Sequence, residues 1–266
     1  MLMLPAFAML AFVFVLPLAW FFTQALFAEG GIQQIASVIA SRAVLQAILA
    51  TNWISLLVTA CVLLAGYPIA YYLANRRGLR FTLVVFCIIV PYFTSIIVRT
   101  YSWMVLLGRA GVINRLLQSA GLIEAPLPLL YNKLGIVIGM TYVLLPYMVL
   151  TLFATMKSID RNLLLAASGL GAGGFAVFWR VYLPLSRHGI LSGALIVFIL
   201  SIGFFITPAL MGGPSDVMVA MLIERSVEIT LDWKSAAVMS LFLLAVTLVL
   251  YAVYYRITDL RRLMGA

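Results

Sequence analysis

Long apolar runs separated by short polar stretches set the pattern of this chain. A helix that crosses a bilayer needs about 20 mostly apolar residues. The stretches 4–27, 52–74, 81–107, 134–156, 188–211 and 235–255 meet that requirement and predict six transmembrane helices. Two of the intervening segments also carry a pattern. "IQQIASVIASRAVLQAILA" (32–50) repeats apolar residues at helical spacing and predicts an amphipathic helix lying along the membrane surface. "GGPSDVMVAMLIERSVEITLDW" (212–233) opens with turn residues and Asp216, then continues as a helix-like run carrying acids. No internal repeat or low-complexity tract interrupts this order, so residues 1–266 read as one all-α integral membrane domain.

Composition narrows the class. The 266 residues are 65% hydrophobic and 9% charged, and mean hydropathy is +1.16. An ordinary soluble domain is about 25% charged, so water cannot be the outer solvent and lipid must be. Cys61 and Cys87 lie in separate apolar runs and read as small core residues, not as a disulfide or a metal pair. The opening 27 residues carry no Lys or Arg, which disfavours a cleavable signal peptide and favours a retained helix, and leaves open a true start upstream.

The net charge of +9 forms no stripe for nucleic acid. It reports orientation instead. Arg76, Arg77 and Arg80, then Lys157, Arg161, Arg180 and Arg187, then Arg256, Arg261 and Arg262 fall on one side, against only Asp160 and Asp259. On the other side Arg42, Arg109, Arg115, Lys133, Arg225 and Lys234 are balanced by Glu29, Glu124, Asp216, Glu224, Glu228 and Asp232. The positive-inside rule makes the first side cytoplasmic, with both termini and the segment 157–187 inside.

That inner segment holds the least membrane-like stretch, "LAASGLGAGGFAVFWRVYLPL" (165–185). Gly169, Gly171 and Gly174 match G-x-G-x-x-G, yet no strand precedes them and no βαβ unit fits between two spans. No Lys sits in a phosphate loop either. The residues favour two short helices: Ser158 or Asp160 caps "RNLLLAASG", Gly169 or Gly171 ends it in the left-handed conformation, and "FAVFWRVYL" runs to a break at Pro184. The apolar stripe Leu163, Leu164 and Ala167 on so short a helix asks for a groove in another protein.

Ala166, Ala167, three residues, Gly171, nine residues, then Val181, Tyr182, Leu183 and Pro184 resemble the E-A-A-x3-G-x9-I-x-L-P loop of permease subunits of type I ABC importers. The segments 99–117, 125–150 and "FFITPALMGGPSD" (204–216) are similar to the spermidine/putrescine branch of that family. The resemblance spans nearly the whole chain after the first helix. It implies the type I permease fold, with six transmembrane helices and a cytoplasmic coupling helix formed by Asp160, Leu163, Leu164, Leu165, Ala166 and Ala167. The coupling helix docks on a separate ATPase subunit, Gly169 and Gly171 provide the elbow, and Leu183 with Pro184 join it to the next span. The family's leading glutamate is Leu165 here, so apolar contacts must carry more of that docking.

For the solute path, Arg99 is a charge within a span, where it lines a cavity, pairs with an acid such as Asp216, or snorkels to the headgroups. Tyr92, Tyr101, Trp103, Tyr142 and Tyr147 are candidates for cation-π contact with amines. Asp216 and Glu224 could meet a cation or a delivery protein on the outside, and Pro91, Pro146 and Pro208 could kink helices around a path. The lone His188 beside Arg187 reads as juxtamembrane.

The resemblance therefore implies a transport subunit without enzymatic activity or cofactor, in the inner membrane of a bacterium, forming half the path for a small cationic solute such as a polyamine. Aminophosphonates, opines and other amines remain within the class. Its implied partners are two ATPase subunits, a second homologous permease, and a periplasmic or lipid-tethered binding protein. A self-sufficient secondary transporter would need acids central to its spans, and an enzyme would need a catalytic cluster; the sequence offers neither.

Overall fold

The computed structural model describes residues 9, 11–26 and 31–264. Residues 1–8 and Glu29, with the side chains of Asp259, Arg261 and Arg262, lie outside the described residues. A π turn, Ala11–Val15, leads into α1 (Leu16–Leu26), followed by α2 (Gly31–Ala40), α3 (Arg42–Asn75), α4 (Leu79–Tyr92), α5 (Ile96–Leu107) and α6 (Val112–Ser119). Then come α7 (Lys133–Lys157), α8 (Arg161–Gly169), α9 (Gly174–Val177), a π segment Phe178–Tyr182, α10 (Leu183–Ile202), α11 (Ile206–Met211), α12 (Val219–Glu228) and α13 (Trp233–Met264). Among the described residues, five stretches are long and apolar enough to cross a bilayer: Arg42–Asn75, Ile96–Ser119, Lys133–Lys157, Gly174–Ile202 and Trp233–Arg256. Ala11–Thr23 and Leu79–Tyr92 are shorter apolar helices.

The centre of the bundle is α7, packed between α3 and α10. Its buried residues Ile136, Met140, Leu144, Met148, Leu152 and Met156 recur every four positions and so form one stripe. Ile54, Val58, Val62, Gly66 and Ala70 make the matching stripe on α3. On α10 the buried stripe Gly189, Gly193, Val197 and Ser201 is mostly small. Lipid tails are as apolar as leucine, so helices associate in a membrane through close van der Waals fit, which small residues permit. The fit is tight: a Cβ on Gly189 would lie 2.8 Å from the Thr155 side chain, and one on Gly66 3.0 Å from Met148.

Several expectations need correction. The segment 32–50 is not one surface helix. Ser41 ends α2 and its Oγ accepts from the Val44 NH (3.4 Å), starting a new helix. Val44 and Ala47 then bury against Val219 and Met239, so this half is the start of the 34-residue α3. The span 81–107 is broken into α4 and α5 at Phe93–Ser95, just after Pro91, with Thr94 Oγ1 donating back to the Pro91 carbonyl (2.6 Å). The span 188–211 is likewise broken, at Gly203–Phe205, between α10 and α11. Pro184 causes no break at all. It sits in the first turn of α10, where a missing NH is tolerated, and the π register just before it, with the Leu183 NH on the Phe178 carbonyl, makes 174–202 one continuous rod. Finally, Cys87 is exposed on α4 and Cys61 only half-buried, so neither is a core residue.

Replacing a glycine inside a helix by alanine ordinarily adds stability through propensity. Gly189→Ala should instead lower it by about 1–3 kcal/mol, because Thr155 is β-branched and stiff and cannot move aside. Thermal unfolding of the detergent-solubilised protein checks this, with Gly174→Ala, which meets nothing within 4 Å, as the control.

Candidate functional site: the elbow helix and the broken spans

The elbow begins where α7 ends. Asp160 is the N-cap of α8, its Oδ1 accepting from the Asn162 NH (2.9 Å). At the other end Gly171 has φ +86°, a left-handed conformation that costs a side-chain-bearing residue about 1–2 kcal/mol. Nothing lies within 4 Å of a Cβ built there, so the glycine serves the turn and not an internal contact. Gly169 ends the helix with no such demand and is equally open.

The structure divides the coupling residues between two faces. Leu164 packs inward against the central cluster, and Ala167 is half-buried beside it. Leu163 (50% exposed), Leu165 (67%) and Leu170 (90%) project outward, with Ala166 exposed among them. The free apolar face is thus not the stripe of Leu163, Leu164 and Ala167 expected from spacing, since two of those three seat the helix on its own bundle. Phe175 and Trp179 continue the exposed apolar surface across the elbow.

An aromatic clamp ties the elbow to the spans. Phe178, in the π segment, meets Tyr67 and Tyr71 of α3 edge-on at 6.1 and 5.7 Å, and Tyr182 meets Tyr71 at 4.9 Å. Tyr67 shares a 2.9 Å hydroxyl–hydroxyl hydrogen bond with Ser186 of α10. Pairs of this kind are worth about 0.5–1.5 kcal/mol beyond burial, so they fasten the segment after the elbow to α3. Sequence reasoning missed these residues; the available signal was the four-residue spacing of Tyr67 and Tyr71 and of Phe178 and Tyr182. Leu183 is half-buried and Pro184 exposed at the start of the rod.

Beside the breaks, polar groups gather. A groove of about 390 Å³ is lined by Val90, Pro91, Thr94, Arg99, Ser102, Trp103 and Tyr142 among others. Arg99 Nε is buried there without a hydrogen-bond partner, and no ion pair joins Arg99 to Asp216 among the described residues. Trp103 and Tyr142 pack edge-on at 5.5 Å, and Tyr92 and Tyr147 at 5.6 Å with their hydroxyls 3.4 Å apart. Tyr101 does not line this groove and is 52% exposed. Thr100 and Thr207 share a hydroxyl hydrogen bond (3.1 Å) that ties α5 to α11.

The segment 212–233 holds the expected acids in different settings. Asp216 is buried, its carboxylate accepting from the Gly213 NH (3.2 Å) and the Ser215 hydroxyl (3.3 Å). Glu224 is half-buried in a cavity of about 470 Å³ between α3 and α12. The Ser235 NH and hydroxyl hold the Asp232 carboxyl below its ordinary range at the start of α13. Among the described residues, no group of three His, Cys, Asp or Glu side chains converges to hold a metal.

A family model described as binding-protein-dependent transport system inner membrane component matches residues 62–262. The chain is 34% identical over 202 residues to the spermidine/putrescine transport system permease protein PotB of Haemophilus influenzae, covering 76% of this chain and 71% of the relative. It is 32% identical over 206 residues to PotB of Escherichia coli, covering 77% and 75%. The molybdenum transport system permease protein ModB of Mycobacterium bovis is 32% identical over 187 residues, covering 70% and 69%. Among solved structures, a bacterial ABC transporter that imports the acidic polysaccharide alginate superimposes with a TM-score of 0.69 at 18% identity, over 97% of this chain and 94% of that one. The alginate transporter in complex with its pentasaccharide-bound periplasmic protein gives 0.74 at 19% identity, over 100% and 94%. At those identities the likeness speaks for the fold.

The buried carboxylate of Asp216 yields a prediction. Asp216→Asn keeps an acceptor for the Gly213 NH but turns an NH2 toward the Ser215 hydroxyl and removes the charge that strengthens both bonds, so it should lower thermal stability by about 1 kcal/mol. Solute KM should follow only as far as stability does. A raised KM at unchanged stability would instead place the acid in solute capture.

Proposed function

Because the chain belongs to the family of binding-protein-dependent transport system inner membrane components, we propose that it forms one half of the solute pathway of an importer driven from its basic face by an ATPase. The chain itself is a multi-pass inner-membrane permease subunit of an ABC importer with the type I permease fold, and it is a transport subunit, not an enzyme. A second homologous permease completes the path about a pseudo-two-fold axis. Two ATPase subunits bind on the inner face, one of them at this elbow, and a binding protein, periplasmic or lipid-tethered, delivers solute at the opposite face. The side carrying Arg76, Arg77, Arg80, Lys157 and Arg161 is cytoplasmic, by the positive-inside rule.

The observation that carries the coupling role is α8: a capped nine-residue helix with Leu163, Leu165 and Leu170 exposed, backed by Leu164 on the core and clamped through Phe178 and Tyr182 to α3. The exposed leucines fit an apolar cleft, and Leu165 fills with a side chain the place where the family pattern has a glutamate. When nucleotide closes the ATPase pair, α8 moves with its cleft and the clamp turns α3 and α10.

The solute is a polyamine. The spermidine/putrescine permeases named above support this, as do the aromatic pairs Tyr92–Tyr147 and Trp103–Tyr142 beside the helix breaks, since ring faces attract ammonium groups. Arg99 would repel an amine at close range, so it makes no contact with cargo.

Uptake of radiolabelled spermidine into vesicles bearing the whole transporter tests the reading. Saturable uptake, competed by putrescine and not by molybdate, is expected; competition by molybdate alone would overturn the solute assignment. Gly171→Trp should reduce uptake by about tenfold or more, since the left-handed turn penalises any side chain, while membrane insertion and ATPase activity persist. Undiminished uptake by this variant would remove the elbow from the coupling path.

A further inference from the structure

Behind α8, on the side away from its exposed leucines, lies a cavity of about 340 Å³ that the coupling role does not use. The end of α3 contributes Asn75 and Arg77 to it, the end of α7 Lys157, and the first turn of α8 Asp160 and Arg161. Tyr182 forms part of the wall. The lining therefore holds three cations against one carboxylate, and that carboxylate is engaged by the Asn162 NH. None of Arg77, Lys157 and Arg161 forms an ion pair among the described residues. The second observation is independent of charge. Tyr182 is 3% exposed, and its buried hydroxyl has no hydrogen-bond partner. Asn75, the polar side chain beside it, donates to the Tyr71 carbonyl at 2.9 Å and meets the hydroxyl outside hydrogen-bonding geometry.

A buried hydroxyl left unpaired costs about 1–3 kcal/mol, so its retention beside a cationic pocket points to an acceptor supplied from outside. The pocket also opens at the N-terminus of α8, where the helix dipole favours negative charge. We propose that this cavity binds a phosphate group, which bridges the ends of α3 and α7 to the first turn of α8 and accepts from Tyr182. Arg77 and Arg161 present forked donors suited to phosphate oxygens, and Lys157 adds a point charge. The group comes from an anionic lipid headgroup or from free phosphate; both offer the same oxygens. Occupied, the site stiffens the root of α8, so it would adjust how firmly the elbow drives the spans. The site rests on the proposed function only for that last consequence, because binding to the full chain is measured without transport.

The delipidated full-length chain in neutral detergent is titrated with inorganic phosphate while thermal unfolding and Trp179 fluorescence are followed. In parallel, nanodiscs of phosphatidylcholine with or without phosphatidylglycerol are compared, and lipid retained by the extracted chain is counted by native mass spectrometry. Saturable stabilisation by phosphate beyond that of chloride at equal ionic strength identifies a free-phosphate site. Selective retention of phosphatidylglycerol identifies a headgroup site. Either way, Arg77→Gln with Arg161→Gln should weaken binding by about tenfold or more, and Tyr182→Phe by several-fold with no loss of fold. Absence of both effects, a phosphate response equal to that of chloride, or unchanged binding by the Arg77→Gln, Arg161→Gln variant would overturn the proposal. Binding without polyamine uptake would leave it standing and count only against the transport reading.

Discussion

The close contact of α7 with α3 and α10 is the constraint on which the rest of this protein depends. In lipid, burial of apolar surface gives no advantage to helix pairing, because the solvent is apolar as well. What holds the bundle is fit. Gly66 admits Met148, and Gly189 and Gly193 admit Thr155 and Met148, so that backbones approach where larger residues would hold them apart. Every functional element hangs from this centre: the elbow from the ends of α3, α7 and α10, and the broken helices from the other faces of α7.

Rigidity at the centre makes the breaks at the periphery informative. A backbone NH or carbonyl without a partner is expensive in the hydrocarbon, so irregular structure survives there only where protein or a cavity shelters it. The turn at Phe93–Ser95 and the turn at Gly203–Phe205 lie on the two strands of chain linked by the Thr100–Thr207 hydrogen bond. The arginine groove and the two aromatic pairs sit beside the first of these turns. A solute path in a permease of this family belongs in such a place, where helices are interrupted and side chains can rearrange without unravelling a span.

The elbow applies the same economy of parts at the opposite end. Its helix is short, capped by Asp160 and followed by a glycine that adopts the left-handed φ without penalty. Its inner face is anchored by Leu164 and its outer face left bare, as the proposed lever requires, with the aromatic clamp on α3 for its fulcrum. The continuous rod from Gly174 to Ile202 gives that lever length. Had Pro184 broken the helix, motion of the elbow would have dissipated in a hinge.

Much of this was legible in the residues alone. Runs of apolar residues fix which segments enter the membrane, since that transfer depends on local composition. The cap at Asp160 and the left-handed turn at Gly171 are equally local, because each is decided within a few bonds. Tertiary structure decided the rest. Spacing could not say that Leu164 and Ala167 face inward while Leu163, Leu165 and Leu170 stay free, because the answer lies in which neighbours α8 meets. Nor could it bury Asp216, expose Cys87, split two spans, or bring Tyr67 and Tyr71 against Phe178 and Tyr182 more than 100 positions away. Those outcomes are set by contacts between distant segments, and a single sequence records distant contacts only as residue types waiting for a partner.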